Sequence, residues 1–312
     1  MSPAARALAV GTRGSPLALA QTEGVIAQLR ARHPELRFEV RRITTKGDVM
    51  RDVPLASMGG QGVFADAIEE ALAAGEIDLA VHSAKDLPSI TADGLSIAAY
   101  PEREDARDVL VSHAGDLNAL PYGARVGTSS QRRACQLLAA RPDLRVRDLR
   151  GNVDTRLRKL DEDAYDAIVL AGAGLIRLGL TTRIIEWLPA NVMIPAPGQG
   201  ALAIEVRSGD LELHRMLAPL SHQPTVTALA AERAFLACLG AGCSAALAAF
   251  ATVSATGHVS LQAMIGAPDG RCVRGERTAP ASGAAALGSA LAAELLDRGG
   301  RELIPALQRA GS

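Results

Sequence analysis

The segment Gly127-Thr128-Ser129-Ser130-Gln131-Arg132-Arg133 follows a strand-like stretch and opens a helix-like one. Free backbone N–H groups, hydroxyls and two guanidinium forks converge there, which is how a chain builds a site for an anion. A Ser-capped helix with solvated arginines would use the same letters, and the segment alone does not separate the two readings. Arg150-Gly151-Asn152-Val153-Asp154-Thr155-Arg156 repeats the logic at a second strand–turn–helix junction. Gly11-Thr12-Arg13-Gly14-Ser15-Pro16 does so at a third. Three such junctions imply a polyanionic ligand. No Gly-x-x-x-x-Gly-Lys-[Ser/Thr] loop and no Gly-x-Gly-x-x-Gly fingerprint at a strand end accompanies them. Phosphates remain open, and several carboxylates suit the fork geometry equally well.

Val81-His82-Ser83-Ala84-Lys85-Asp86-Leu87-Pro88 ends an apolar run. Asp86 there reads as a carboxylate tuned by neighbouring cations, suited to stabilising a developing positive charge or moving a proton. The plainer reading is an exposed Lys85–Asp86 pair that does little. Cys243 lies in the turn Leu239-Gly240-Ala241-Gly242-Cys243-Ser244, where glycines leave a thiol accessible. Cys135 and Cys238 fall inside helix patterns and read as inert core residues. No histidine is placed to make a Cys/His protease of Cys243. The segment from Thr45 to Gly62 is polar and glycine-rich and reads as a lid loop or an ordinary connection.

The elements that must hold these residues alternate between periods of two and 3.6. Strands are expected at Leu8–Thr12, Phe38–Thr44, Asp78–His82, Leu95–Ala99 and Asp108–Ser112. Helices are expected after Ser15-Pro16 and over Val63–Ala74. A second run repeats the plan: strand Arg125–Thr128, helix Ser130–Ala140, strand Arg145–Leu149, helix Val153–Leu160, strand Ala167–Leu170. Ala201–Arg207 reads as a strand returning to the first sheet. Helix Val226–Leu239, strands near Ala251–Ser254 and Leu261–Ile265, and a closing helix Ala284–Arg298 complete the chain. The expectation is an α/β protein of three domains. Two similar mixed-sheet lobes, 1–104 with 200–220 (lid 45–62) and 105–199, flank a cleft in the manner of periplasmic binding proteins. A smaller α+β domain spans 221–312.

Composition narrows the function classes. The chain has 312 residues, 48% hydrophobic and 21% charged, with a net charge of −1. That balance argues against nucleic acid and against an anionic membrane as partners. Only three of the 33 basic residues are lysines (Lys46, Lys85 and Lys159). GC-rich coding accounts for much of that, and forks facing carboxylates would account for part of it. The near-zero total then implies acidic residues placed elsewhere. Four cysteines without a Cys-x-x-Cys pair suggest neither a disulfide scaffold nor a zinc site, so no metal is expected. With no apolar run of membrane-spanning length and no signal-peptide pattern, the expected location is cytoplasmic.

The motifs together resemble the porphobilinogen deaminase (hydroxymethylbilane synthase) family of tetrapyrrole and heme biosynthesis. The match runs from Thr12-Arg13-Gly14-Ser15-Pro16-Leu17-Ala18-Leu19 through Lys46-Gly47-Asp48, His82-Ser83-Ala84-Lys85-Asp86 and Glu102-Arg103-Glu104-Asp105. It continues in Gly127–Arg133, Leu149–Arg156, Pro197-Gly198-Gln199-Gly200, Ala231-Glu232-Arg233-Ala234, Gly242-Cys243 and Gly266-Ala267-Pro268-Asp269-Gly270. The resemblance implies a transferase that adds four porphobilinogens in turn to a dipyrromethane cofactor, releasing ammonia each time, and frees hydroxymethylbilane by hydrolysis. It implies a thioether from that cofactor to Cys243 and a catalytic role for Asp86. It implies that Arg13, Ser15, Gln21, Lys85, Ser129, Ser130, Arg132, Arg133, Arg150, Arg156, Arg177 and Gln199 contact cofactor or substrate. The partner would be porphobilinogen alone, and the protein a monomer. A two-lobed, non-catalytic binding protein for a small polycarboxylate is the alternative. Departures from the family pattern are Gln61 for a lysine, Ala241 for a glycine, Ala246 for a proline and Ala248 for a glycine.

Overall fold

A computed structural model of the chain describes residues 7–45, 65–88, 90–240 and 246–304. Cys243, Ala241, Lys46, Gln61 and the lid segment beyond Thr45 lie outside the described residues. In chain order come β1 (Leu8–Arg13), α1 (Pro16–Arg32), β2 (Phe38–Ile43), α2 (Asp66–Ala73), β3 (Leu79–Ser83) and β4 (Leu95–Ala99). Then follow β5 (Asp108–Ser112), β6 (Arg125–Gly127), α3 (Gln131–Ala140), β7 (Arg145–Arg147), α4 (Val153–Asp161), β8 (Ala167–Ala171), α5 (Gly172–Arg177) and β9 (Glu186–Trp187). The last third holds β10 (Leu202–Arg207), α6 (Leu211–Leu217), α7 (Gln223–Leu239), β11 (Ala246–Val253), β12 (His258–Gly266), β13 (Cys272–Pro280) and α8 (Ala284–Leu295).

Two compact units result: Met1–Arg103 with Ala201–Val226, and Glu104–Gly200 with Thr227–Ser312. The first unit is built on a five-stranded sheet in the order β2-β1-β3-β10-β4. β1, β2 and β3 run parallel, and β10 returns antiparallel between β3 and β4. Parallel strands need helical crossovers, and their apolar runs must be covered on both faces. Val25, Ile26 and Leu29 of α1 with Leu213 and Leu217 of α6 cover one face. Ile68 and Leu72 of α2 cover the other.

The second unit repeats this plan in the order β7-β6-β8-β5-β9, with β5 antiparallel to β8. It also holds the three-stranded antiparallel sheet β11-β12-β13. One face of that sheet is covered by Phe235 of α7 and by Leu287 and Leu291 of α8. Gly288 lets the two helices close, because a Cβ there would run into the Ala231 carbonyl. The opposite face packs Ala246, Ala248 and Met264 against Cys135 and Ile194. Ala246 and Ala248, two departures from the family pattern, are thus wholly buried strand residues.

Three sequence expectations need correction. β7 stops at Arg147, short of Leu149, because the Ser129 hydroxyl donates to the Leu149 carbonyl (2.7 Å) and accepts from its N–H (3.1 Å). A side chain there takes over from the strand ladder. β13 was not expected, since its Arg274, Glu276 and Arg277 obscure the alternation; it is the edge strand of its sheet. Cys238 was read as a core residue and is exposed on α7, whereas Cys135 is buried as expected.

Candidate active site

In the first unit the carboxyl ends of β1 and β3 bring candidate residues to one edge of the sheet. Arg13 is the last residue of β1, and Ser15 caps α1 by accepting from the Ala18 N–H at 3.2 Å. Pro16 at the first helical position has no N–H to leave orphaned. β3 ends at Ser83 and passes into a single 3-10 turn, Ala84–Asp86, that presents Lys85 exposed and Asp86 half-buried. Gln21, buried in α1, ties this turn down: its Nε2 donates to Ser83 Oγ at 3.0 Å. Asp86 is therefore held by a sheet end and a helix together, which suits a group whose position matters.

The second unit has a denser arrangement. Asp108 opens β5 and is fully buried. Arg132 Nη1 donates to Asp108 Oδ2 (2.6 Å) and to the Ile194 carbonyl (2.7 Å). Arg133 Nε donates to Asp108 Oδ1 at 2.9 Å and its Nη1 to the Val169 carbonyl at 2.9 Å. Gln199 Nε2 adds a bond to Asp108 Oδ1 at 3.0 Å. Burial alone would raise the Asp108 carboxyl; the charges of Arg132 and Arg133, with bonds from Arg132 and Gln199, hold it well below the carboxylate range. Burial lowers Arg133, and Asp108 opposes that. Two guanidiniums meet one carboxylate, so these three side chains carry one positive charge in excess.

The remaining candidates are spread along the same sheet. Ser130 caps α3 by accepting from the Arg133 N–H (3.4 Å), and Asn152 caps α4 by accepting from Thr155 (2.9 Å). Arg150 Nε donates to Asp148 (2.9 Å), and Arg156 Nε to the Gly151 carbonyl (2.8 Å). Burial raises the Asp148 carboxyl, but the adjacent Ser129 side chain, the bond from Arg150 and the nearby charge of Arg156 bring it below its ordinary value. Arg177 ends α5 and donates to the Gly200 carbonyl at 2.7 Å; burial lowers it and Glu104 opposes that. Gly200 has φ +86°, and a Cβ there would overlap the Glu104 carbonyl.

The sequence reading assigned Ser15 and Ser130 to ligand contact, and the structure uses both hydroxyls as helix caps. It had Arg132 and Arg133 facing a ligand's carboxylates, and the structure packs both on Asp108. It set the compensating acids elsewhere, and the structure puts Asp108 and Asp148 beside the arginines themselves. Asp108 and Asp148 were missed. A charged residue heading the otherwise apolar run Asp108-Val109-Leu110-Val111 was the available signal, since a carboxylate there must have a buried partner.

Comparison with known proteins decides the family. A model of the porphobilinogen deaminase dipyrromethane cofactor binding domain matches residues 8–215, and one of the porphobilinogen deaminase C-terminal domain matches residues 226–297. The chain belongs to the porphobilinogen deaminase family. It is 56% identical over 298 residues to the porphobilinogen deaminase of Roseiflexus castenholzii, covering 95% of this chain and 98% of that one. Over 301 residues it is 50% identical to that of Thermus thermophilus, covering 96% and 98%. A periplasmic binding protein of Salmonella typhimurium shows a TM-score of 0.40 at 13% identity, over 69% of this chain and 92% of that one.

The family's cofactor is a dipyrromethane bearing four carboxylates. The donor set fits such a group: forked guanidiniums on the sheet of the second unit, with an excess positive charge around Asp108. Among the described residues, no group of His, Cys, Asp and Glu could hold a metal ion. No described helix is long and apolar enough to cross a membrane.

Proposed function

We infer that the chain is a transferase that deaminates and condenses four porphobilinogen molecules head to tail on a covalently bound dipyrromethane, then releases hydroxymethylbilane by hydrolysis. The observation that carries this is the placing of Asp86, with Arg13, Gln21 and Lys85, at one sheet edge of a family member. When bound through Cys243, the dipyrromethane supplies the free pyrrole α-carbon from which the chain grows. Loss of ammonia from the substrate's aminomethyl group leaves a cationic methylene-pyrrole. The Asp86 carboxylate accepts a hydrogen bond from the pyrrole N–H and stabilises that charge where it develops. Lys85, Arg13, Arg150, Arg156 and Arg177 neutralise the acetates and propionates that each ring brings. Arg132 and Arg133 contribute the excess charge left after Asp108, and Gln199 holds Asp108 in place for them. Ser15, Ser129 and Ser130 shape the turns that present these groups, their hydroxyls being committed to the backbone.

We further propose three domains, a cytoplasmic location, a monomeric state, and no nucleic-acid partner. The intact mass of purified protein is expected to exceed the sequence mass by a dipyrromethane, and Cys243→Ser to abolish the excess. An unmodified mass for active protein would sink the cofactor assignment. Asp86→Ala is expected to keep the adduct, detected with Ehrlich's reagent, while turnover falls by about 10²-fold or more. A near-normal rate would remove Asp86 from its role. Arg150→Ala and Arg156→Ala are expected to stall at short chains, visible as discrete added masses. Sedimentation velocity checks the monomer.

A further inference from the structure

Two cysteines outside the candidate active site come together in the second unit. Cys135, buried in α3, lies two residues beyond Arg133. Cys272 heads β13, half-buried and opposite Gly266 in the register with β12. A Cβ on Gly266 would overlap Cys135 Sγ and stand 3.3 Å from Cys272 Cβ, so the glycine opens the gap in which the sulfurs meet. The two side chains interact, and the Cys135 thiol donates to the carbonyl oxygen of Arg271, the residue before Cys272, at 3.6 Å. Arg274, two residues along β13, donates to Gln136 Oε1 of α3 at 3.1 Å and bridges the same seam.

We propose that Cys135 and Cys272 form a peroxide-oxidisable thiol pair whose disulfide fastens α3 to β13. The Cys272 thiolate attacks one oxygen of hydrogen peroxide, the O–O bond breaks, and the departing hydroxide takes a proton to leave as water. The resulting sulfenic acid is attacked by Cys135; the S–O bond breaks, a second water leaves, and the S–S bond forms. One peroxide is reduced and two thiols are oxidised. The chemistry of the two sulfurs suits these roles. The neighbouring Cys135 side chain, helped by Arg274 against the effect of burial, brings the Cys272 thiol below its ordinary value and so toward thiolate. The same contact, with burial, pushes the Cys135 thiol up, so Cys135 gives up its proton as it attacks, and the hydroxide leaving the sulfenic acid takes that proton to form the second water.

The test is peptide mapping of reduced, full-length protein after titration with hydrogen peroxide, alkylated without reductant. A Cys135–Cys272 linked peptide that dithiothreitol removes is expected in the wild type and in Cys238→Ser, and not in Cys272→Ser. Alkylation of Cys272 should be half-maximal below the ordinary thiol value. It should move towards the ordinary thiol value of about 8.5 in Cys135→Ala. Oxidation of Cys272 with no link to Cys135, or alkylation of wild-type Cys272 at the ordinary value, overturns the proposal. Both readings use wild-type protein, so a folding defect in Cys135→Ala leaves the test intact.

Discussion

The two five-stranded sheets share one strand plan, yet each buries a carboxylate on its antiparallel fourth strand in a different way. In the second unit Asp108 stands at the start of β5, level with the carboxyl ends of the parallel strands, since it pairs with Ala171 at the end of β8. There it can receive donors from α3 and from Gln199. In the first unit Glu205 lies deeper along β10, paired with Ala80, the second residue of β3. Its Oε2 is 3.1 Å from His82 Nε2, both side chains are buried, and neither Glu205 oxygen has a hydrogen-bond partner among the described residues. The two side chains touch without a hydrogen bond between them. A buried carboxylate anchors a fold only where the backbone brings donors to it. The same frame therefore holds a satisfied electrostatic node in one unit and an under-satisfied one in the other.

Breaking the satisfied node has the largest expected effect. Asp108→Asn leaves two buried guanidiniums without their counter-charge, and removing one partner of a buried ion pair costs about 3–5 kcal/mol. Chemical denaturation at neutral pH measures the loss. The Asp108 carboxyl is depressed in the folded protein, so its contribution is present above the ordinary carboxylate range and is lost as pH falls through the folded value. The wild type should weaken in acid along a limb that Asp108→Asn lacks. A loss below about 1 kcal/mol would mean that the arginines are satisfied without Asp108.

The helix caps give the comparison its matched pair. Ser15 and Ser130 follow the corresponding strands β1 and β6 and cap α1 and α3 in the same manner. Replacing either by alanine should cost about 1 kcal/mol, and replacing either by asparagine should restore most of it. If Ser130→Asn keeps stability and loses turnover, the hydroxyl has a ligand-facing role besides the cap. Unchanged turnover confines it to the cap.

Much of this contrast was legible in the sequence. The returning strand β10 was readable because Leu202–Val206 is apolar throughout except at Glu205, and the Ser-Pro and Ser-Gln-Arg-Arg openings marked α1 and α3. What could not be read was the destination of each arginine fork. Arg132 and Arg133 are adjacent in the chain, and both turn to a carboxylate about two dozen residues earlier, a pairing set by tertiary folding and not by local spacing. β13 was obscured for a different reason: an edge strand tolerates charge on both faces, so the period of two is lost.

The under-satisfied node makes the smaller predictions. Glu205→Gln should change stability by no more than about 1 kcal/mol, because it replaces a carboxyl that makes no hydrogen bond among the described residues and keeps the shape. Glu69 of α2 reads the same environment from outside. Burial raises its carboxyl above the ordinary value of 4.5, the Glu205 charge raises it further, His82 opposes that, and Asp66 adds to the rise. A raised carboxyl binds its proton more tightly in the folded chain than in the unfolded one. Its penalty is absent below 4.5 and grows as pH rises through the folded value, the reverse of Asp108. Glu69→Gln should therefore gain stability over the wild type as pH rises from acid to neutral, by about 0.5 kcal/mol at most because water screens the partly exposed group. Glu205→Gln should bring the Glu69 carboxyl back towards its ordinary value in an NMR titration. A Glu69→Gln stability curve parallel to the wild type between acid and neutral pH would show that Glu205 and Glu69 do not share charge, and the contrast between the two units would reduce to hydrogen-bond count alone.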